Sequence, residues 1–112
     1  MEIARGIEAH DEIARMVKRI AEQFKPERII LFGSYAKGTI GPDSDVDLLV
    51  IMNVEGSKKE VAIQIDRALI DRRLPLDLIV ATPDDVERYR KLVGNIIRPA
   101  LQEGKVLYER AA

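Results

Sequence analysis

The chain has no cysteine and few aromatic side chains. Its 112 residues include no tryptophan, and tyrosine and phenylalanine together contribute only five rings. The absence of cysteine excludes a disulfide framework and a thiolate metal site. Five rings offer few surfaces on which nucleic-acid bases can stack. Small disulfide-stapled domains and cysteine-ligated zinc proteins are therefore excluded.

The sequence also lacks a charge excess and a long apolar run. Its 18 Lys and Arg residues face 19 Asp and Glu residues, whereas proteins that bind nucleic acid directly usually carry surplus Lys and Arg. The longest apolar run, residues 48–52, is too short to cross a bilayer. The polar, acidic N-terminal segment differs from a secretory signal. We therefore expect a cytoplasmic protein that neither enters a membrane nor binds nucleic acid directly.

The order of apolar patterns predicts a single domain over residues 1–112. Apolar residues at helical spacing, or within amphipathic stretches, predict helices over 9–24, 57–72, 83–90 and 92–103. Short apolar runs predict strands over 28–32, 47–52, 74–81 and 105–109. The second strand is apolar on both faces, so we expect it at the centre of the sheet. The fold class predicted is α/β (α+β), a small mixed β-sheet flanked by helices.

Prolines, glycines and a capping motif predict where helices begin and end. Pro26 should end the first helix, and Pro99 should kink or restart the last one. Thr82, followed by Pro83 and two aspartates, predicts a capped helix start. Gly104 is expected to end the last helix.

Aspartates cluster at the entrance of the second strand. Asp45 and Asp47 are two residues apart and project to the same face of a strand, while Asp43 lies in the preceding loop. Asp77 lies between leucines in the third strand, and neighbouring strands would bring it to the same place. Carboxylates this close repel one another unless a cation joins them. Because oxygen clusters suit Mg²⁺, the pattern predicts a magnesium site of the kind that supports phosphoryl displacement.

A Gly-Ser turn directly after the first strand predicts contacts to phosphate. Gly33 lets the backbone approach a phosphate closely, and Ser34 adds a hydroxyl group. Two other interpretations fail. The spacing from Gly33 to Gly38 lacks the Lys-Ser/Thr pair of a P-loop, and "DSDVD" lacks the glycine and glutamate of an EF-hand loop. Strand, turn and carboxylates together predict a nucleoside triphosphate site.

These motifs carry a family resemblance. Gly33-Ser34, ten intervening residues and Asp45-Val46-Asp47 form the pattern G-S-x10-D-x-D. In this the chain resembles the nucleotidyltransferases related to DNA polymerase beta. Its length and its "EGKVLYE" tail are similar to the minimal nucleotidyltransferases (MNT) of prokaryotes. The resemblance implies the polymerase beta-like nucleotidyltransferase fold.

The resemblance also implies a role for each site residue. Asp45 and Asp47 would hold two Mg²⁺ ions, and Asp77 would be the third ligand, near the acceptor, where it could also take the acceptor's proton. Gly33 and Ser34 would hold the β- and γ-phosphates of ATP. Family members often have arginine where this chain has Lys37. A lysine there keeps the charge without the bidentate fork, so Lys37 is either a nucleotide contact or a solvated loop cation.

The implied acceptor is a partner protein. Kanamycin nucleotidyltransferases and polymerases of this superfamily add domains that hold the drug or the nucleic acid, which this chain does not show. Minimal nucleotidyltransferases commonly occur beside HEPN-domain toxins, as antitoxins that transfer AMP from ATP to a tyrosine of the toxin. We therefore expect a HEPN toxin as partner and acceptor.

Two alternatives for the function stay open. One is a non-catalytic antitoxin that neutralises its partner by occlusion. The other is a small-molecule transferase of the aminoglycoside kind, whose pocket a homodimer or a partner would complete. Exposed apolar positions on the helices would suit a homo-oligomer or a toxin interface equally.

Overall fold

The computed structural model describes residues 7–111, in which helices pack on both faces of a four-stranded sheet. The helices are α1 (Ile7–Phe24), α2 (Ser34–Lys37), α3 (Lys58–Ala68), α4 (Pro83–Tyr89) and α5 (Ile97–Glu103). The strands are β1 (Arg28–Phe32), β2 (Val46–Ile51), β3 (Leu76–Ala81) and β4 (Lys105–Glu109). None of the helices between residues 7 and 111 combines the length and hydropathy that a membrane span requires.

The sheet is mixed, as predicted. Its strand order is β3-β2-β1-β4. Strand β1 runs antiparallel to β2 and β4, while β2 and β3 are parallel and are joined by the crossover helix α3. The central position predicted for the second strand is confirmed, since five of the six β2 side chains are buried.

Two apolar layers cover the two faces of the sheet. On one face α1, α3 and the residue that follows α3 contribute the buried residues Ile13, Met16, Val17, Ile20, Ile65 and Leu69. On the other face α4 and α5 contribute Val86, Ile97 and Ala100. Each large apolar side chain that is fully buried contributes about 1.5–3 kcal/mol to folding. Strand β2 is held from both sides, because Leu48 and Val50 face the first layer and Leu49 and Ile51 face the second.

The helix predicted over residues 57–72 is shorter than the pattern indicated. Helix α3 ends at Ala68 rather than at residue 72. Pro75 disfavours a helical conformation at Leu74, and the chain must turn into β3 at this point. The guanidinium of Arg72 donates hydrogen bonds to the main-chain oxygen atoms of Asp66 and Leu69, which satisfies carbonyls at the helix end.

The last helix begins later than predicted, at Ile97 rather than at residue 92. Gly94 has a φ of 95°, a left-handed conformation that interrupts a helix. The Asn95 side-chain oxygen accepts hydrogen bonds from the amides of Ile97 and Arg98, so the helix starts there. Pro99 then lies in the first turn of α5, where proline is tolerated. Of the two effects predicted for Pro99, a kink or a restart of the helix, the structure shows the restart.

The helix boundaries predicted at Pro26, Thr82 and Gly104 are confirmed, and α1 ends at Phe24, two residues before Pro26. Thr82 and Asp85 exchange side-chain hydrogen bonds to each other's amides at 3.1 and 2.9 Å, with Pro83 at the first helical position. Gly104 ends α5 at a φ of −78°, so its conformation does not require glycine. Its role is close packing, because a Cβ atom there would overlap main-chain oxygen atoms of Ala100 and Leu31.

Candidate active site

Strands β2 and β3 place Asp47 and Asp77 side by side. Their Cα atoms are partners in the parallel register, so both side chains point to the same face of the sheet. That face also carries Leu49 and Ile79 and packs against α4 and α5. Asp45 is exposed and directly precedes β2 with the same parity. The structure therefore pairs Asp47 with Asp77 and places Asp45 near Asp47.

Asp47 lies among other carboxyl groups and has no cationic partner among the described residues. Burial raises the pKa of the Asp47 carboxyl, and the charges of Asp77 and then Asp45 raise this pKa further. Among the described residues, no ion pair or side-chain hydrogen bond involves any of the three. Such an arrangement costs folding free energy unless a cation joins the carboxylates.

Gly33 lies directly against Asp47. Its φ of 73° and ψ of −151° are rarely adopted by residues with a side chain. A Cβ atom at Gly33 would overlap the Asp47 carboxylate. The Gly33 carbonyl accepts hydrogen bonds from the amides of Ala36 and Lys37, both at 3.1 Å, so the turn into α2 starts here. Only glycine meets both the conformational and the packing requirement.

A cleft of about 280 Å³ opens above these residues. It is lined by Phe32, Gly33, Lys37, Asp47, Asp77, Ile79, Ile96, Pro99 and Glu103. Lys37 and Glu103 form an ion pair across it, with 3.4 Å between Nζ and Oε2, and both side chains are more than half exposed. Ser34 begins α2 and Asp45 precedes β2, but neither lines the cleft. The roles of all six predicted site residues in binding stay predictions.

Sequence reasoning missed the wall that α5 contributes. Ile96 at the start of α5, and Pro99 and Glu103 within it, line the same cleft as Asp47 and Asp77. No motif marks these residues, because their position depends on how α5 packs on the sheet. The Lys37 contact with Glu103 joins positions 66 residues apart, which no local pattern reveals.

The carboxylates fit a metal that arrives together with phosphate. Between residues 7 and 111, no group of three or more His, Cys, Asp or Glu side chains is arranged to hold a metal ion by itself. The donors are nevertheless oxygen atoms without a neutralising partner, which is the chemistry Mg²⁺ prefers. In nucleotide sites Mg²⁺ is commonly bound by one or two carboxylates together with substrate phosphates. Asp47 and Asp77 suit that mode of binding.

A larger groove of about 660 Å³ lies on the opposite face, between α1 and β4. It is lined mainly by apolar side chains, among them Ile13, Val17 and Leu107. Its charged lining residues include both cations and an anion, such as Lys18 and Glu22. They do not form a pair of neighbouring carboxylates. Of these two cavities, only the smaller one is lined by a pair of neighbouring carboxylates, Asp47 and Asp77.

Comparison with known proteins places this geometry in context. The family model described as a nucleotidyltransferase domain matches residues 13–107. A Methanocaldococcus jannaschii protein named as a candidate protein adenylyltransferase is 32% identical over 82 residues, which cover 73% of this chain and 78% of that protein.

Solved structures with this fold include two toxin–antitoxin complexes. A toxin–antitoxin structure with AMP-PNP matches with a TM-score of 0.57 at 23% identity, covering 89% of this chain and 74% of that chain. A complex of a tri-AMPylated Shewanella oneidensis HEPN toxin with its MNT antitoxin matches with a TM-score of 0.51 at 20% identity, covering 90% and 72%.

Proposed function

Because the chain belongs to the nucleotidyltransferase domain family, we propose that it transfers AMP from ATP to a tyrosine of a HEPN-domain partner and so acts as an antitoxin. The M. jannaschii relative named for protein adenylylation supports a protein acceptor. The structural matches to complexes containing AMP-PNP or an AMPylated HEPN toxin support the nucleotide and the partner. The observation that carries the proposal is the register pairing of Asp47 with Asp77 beside Gly33. We place the reaction in the cytoplasm.

The nucleotide would lie across the turn after β1. The Gly33 backbone and the Ser34 hydroxyl contact the β- and γ-phosphates, and Lys37 leaves Glu103 to neutralise phosphate charge. The three aspartates would hold Mg²⁺, two ions by analogy with the family. When bound, such ions would neutralise negative charge on the triphosphate and on the departing pyrophosphate.

The transfer itself is a displacement at the α-phosphorus. The acceptor hydroxyl attacks this atom, the bond to pyrophosphate breaks, and a phosphodiester joins AMP to the acceptor. The hydroxyl proton passes to Asp77. Asp77 is exposed and lies on β3, an edge strand of the sheet, so a bulky acceptor can approach it. This position favours a protein acceptor over a small molecule that would need an enclosed pocket.

The test is transfer of labelled AMP. The chain is incubated with Mg²⁺, ATP labelled at the α-phosphate and a full-length HEPN-domain protein from the same organism. We expect label on a tyrosine of that protein, and loss of label with the double variant Asp45→Asn, Asp47→Asn. Asp43→Asn, a change of the same kind in the adjacent loop, should retain transfer.

Two results would contradict the proposal. No label on the partner with wild-type chain would exclude the transfer. If the double variant still neutralises the toxin in cells, occlusion rather than transfer is the antitoxin mechanism.

A further inference from the structure

Exposed apolar side chains are concentrated beside the cleft. Seven large apolar residues are exposed in the described part of the chain, and three of them lie between α4 and α5. Leu92 is 50% exposed, Val93 86% and Ile96 47%. Ile96 also lines the cleft, so the segment that carries these side chains borders the candidate active site. We call residues 88–98 the rim segment.

The rim segment is strongly basic. It contains Arg88, Arg90, Lys91 and Arg98 and no acidic residue, although the whole chain has a net charge of −1. Arg90 forms an exposed ion pair with Glu87, which is worth little in water. An apolar centre surrounded by cations is complementary to an acidic surface that presents an apolar side chain.

The exposed side chains are held on a fixed backbone. The Asn95 amide group donates hydrogen bonds to the carbonyls of Tyr89 and Leu92, and its oxygen accepts from the amides of Ile97 and Arg98. These four bonds tie the segment between α4 and α5 to the start of α5. A surface ordered in advance loses little conformational entropy when a partner binds.

We propose that the rim segment is the docking surface for the acceptor protein, and that it binds an acidic face of that protein carrying an apolar anchor. Because Ile96 belongs to both surfaces, docking there brings an acceptor hydroxyl to Asp77. The identity of the partner rests on the proposed function. A protein fits better than RNA, because Tyr89 is half-buried and the Arg88 guanidinium lies 6.0 Å from its ring centre, which leaves no free ring for base stacking.

The test compares two exposed apolar positions on opposite faces of the sheet. Val93→Asp should weaken binding of the full-length HEPN-domain protein by about tenfold or more, measured by isothermal titration calorimetry. Ile70→Asp is the matched control, because Ile70 is 78% exposed and follows α3, which packs on the other face. It should change the affinity by less than about twofold. Both variants should bind Mg²⁺-ATP like the wild type, which shows that fold and cleft are intact.

A charge reversal tests the basic component separately. Lys91→Glu should weaken binding several-fold at low salt, and the difference should disappear at high salt because screening removes it. If Val93→Asp and wild type bind the partner equally, or if wild type does not bind it, the inference is wrong. Competition by single-stranded RNA for the same surface would also overturn it. If Val93→Asp loses binding while wild type binds without transferring AMP, docking stands and the proposed reaction fails.

Discussion

Replacing Asp47 with asparagine should stabilise the metal-free protein and remove its response to Mg²⁺. Asp47 is partly buried, and its carboxylate lies beside those of Asp77 and Asp45. Asparagine has nearly the same shape, so it keeps an atom against Gly33 while it removes the charge. The substitution therefore removes two unfavourable contributions to folding, the burial of the Asp47 charge and its repulsion by Asp77 and Asp45.

Coulomb's law sets the size of the gain. Side-by-side residues on neighbouring strands are about 4.8 Å apart. Two unit charges at that distance repel by about 0.9 kcal/mol in water and about 3.5 kcal/mol at an effective dielectric constant of 20. Because Asp45 and Asp77 are exposed, the lower end applies, and we expect about 1 kcal/mol. For a domain of this size that corresponds to a Tm increase of about 4 °C.

The gain should depend on pH with a definite sign. Burial and neighbouring carboxylates raise the pKa of Asp47 in the folded protein. The folded protein therefore binds this proton at a higher pH than the unfolded chain does. As the pH falls through the raised pKa, the destabilising contribution of Asp47 to the free energy of unfolding disappears. The advantage of Asp47→Asn should be full at neutral pH and should shrink on acidification.

Thermal unfolding followed by circular dichroism provides the assay. Wild type, Asp47→Asn and the control Asp43→Asn are melted at low ionic strength, first with EDTA and then with Mg²⁺ and ATP. Ligand binding should raise the Tm of wild type and of the control but not that of Asp47→Asn. A metal-free Asp47→Asn protein that melts below wild type would refute the reasoning.

Two further substitutions test the turn and a buried ion pair. Gly33→Ala should cost about 1–2 kcal/mol for its positive φ and should weaken Mg²⁺-ATP binding by displacing the neighbouring carboxylate. Gly38→Ala is the control, because Gly38 has a φ of 78° but open space around it, so this variant should show only the backbone cost. If both variants bound the nucleotide equally well, contact between residue 33 and the Asp47 carboxylate would not matter for binding. Glu12→Gln should cost about 2 kcal/mol in urea unfolding, because Glu12 is 6% exposed and accepts two hydrogen bonds from Arg15. Those bonds lower the pKa of Glu12, so wild type should lose this stability as the pH falls through the lowered pKa, and identical pH profiles for both proteins would contradict it.

Local patterns were sufficient to predict the sheet and part of the site. Side-chain alternation is a property of neighbouring residues, so the apolar pattern around Leu48 and Leu49 predicted a central strand correctly. The same parity put Asp45 and Asp47 on one face. Gly33 was recognised from its place after a strand. Placing Asp77 beside Asp47 required one more assumption, that their strands are neighbours. The parallel pairing of β2 with β3 confirms this assumption.

Tertiary structure alone decided how the cleft is enclosed. The sequence by itself determined the strands, the face on which the aspartates project and the glycine of the turn, because each depends on residues a few positions apart. The late start of α5, the wall formed by Ile96 and Glu103 and the raised pKa of Asp47 depend on contacts between distant segments. Packing energy and charge burial arise only when these segments meet, and no periodicity in the sequence records which segments those are.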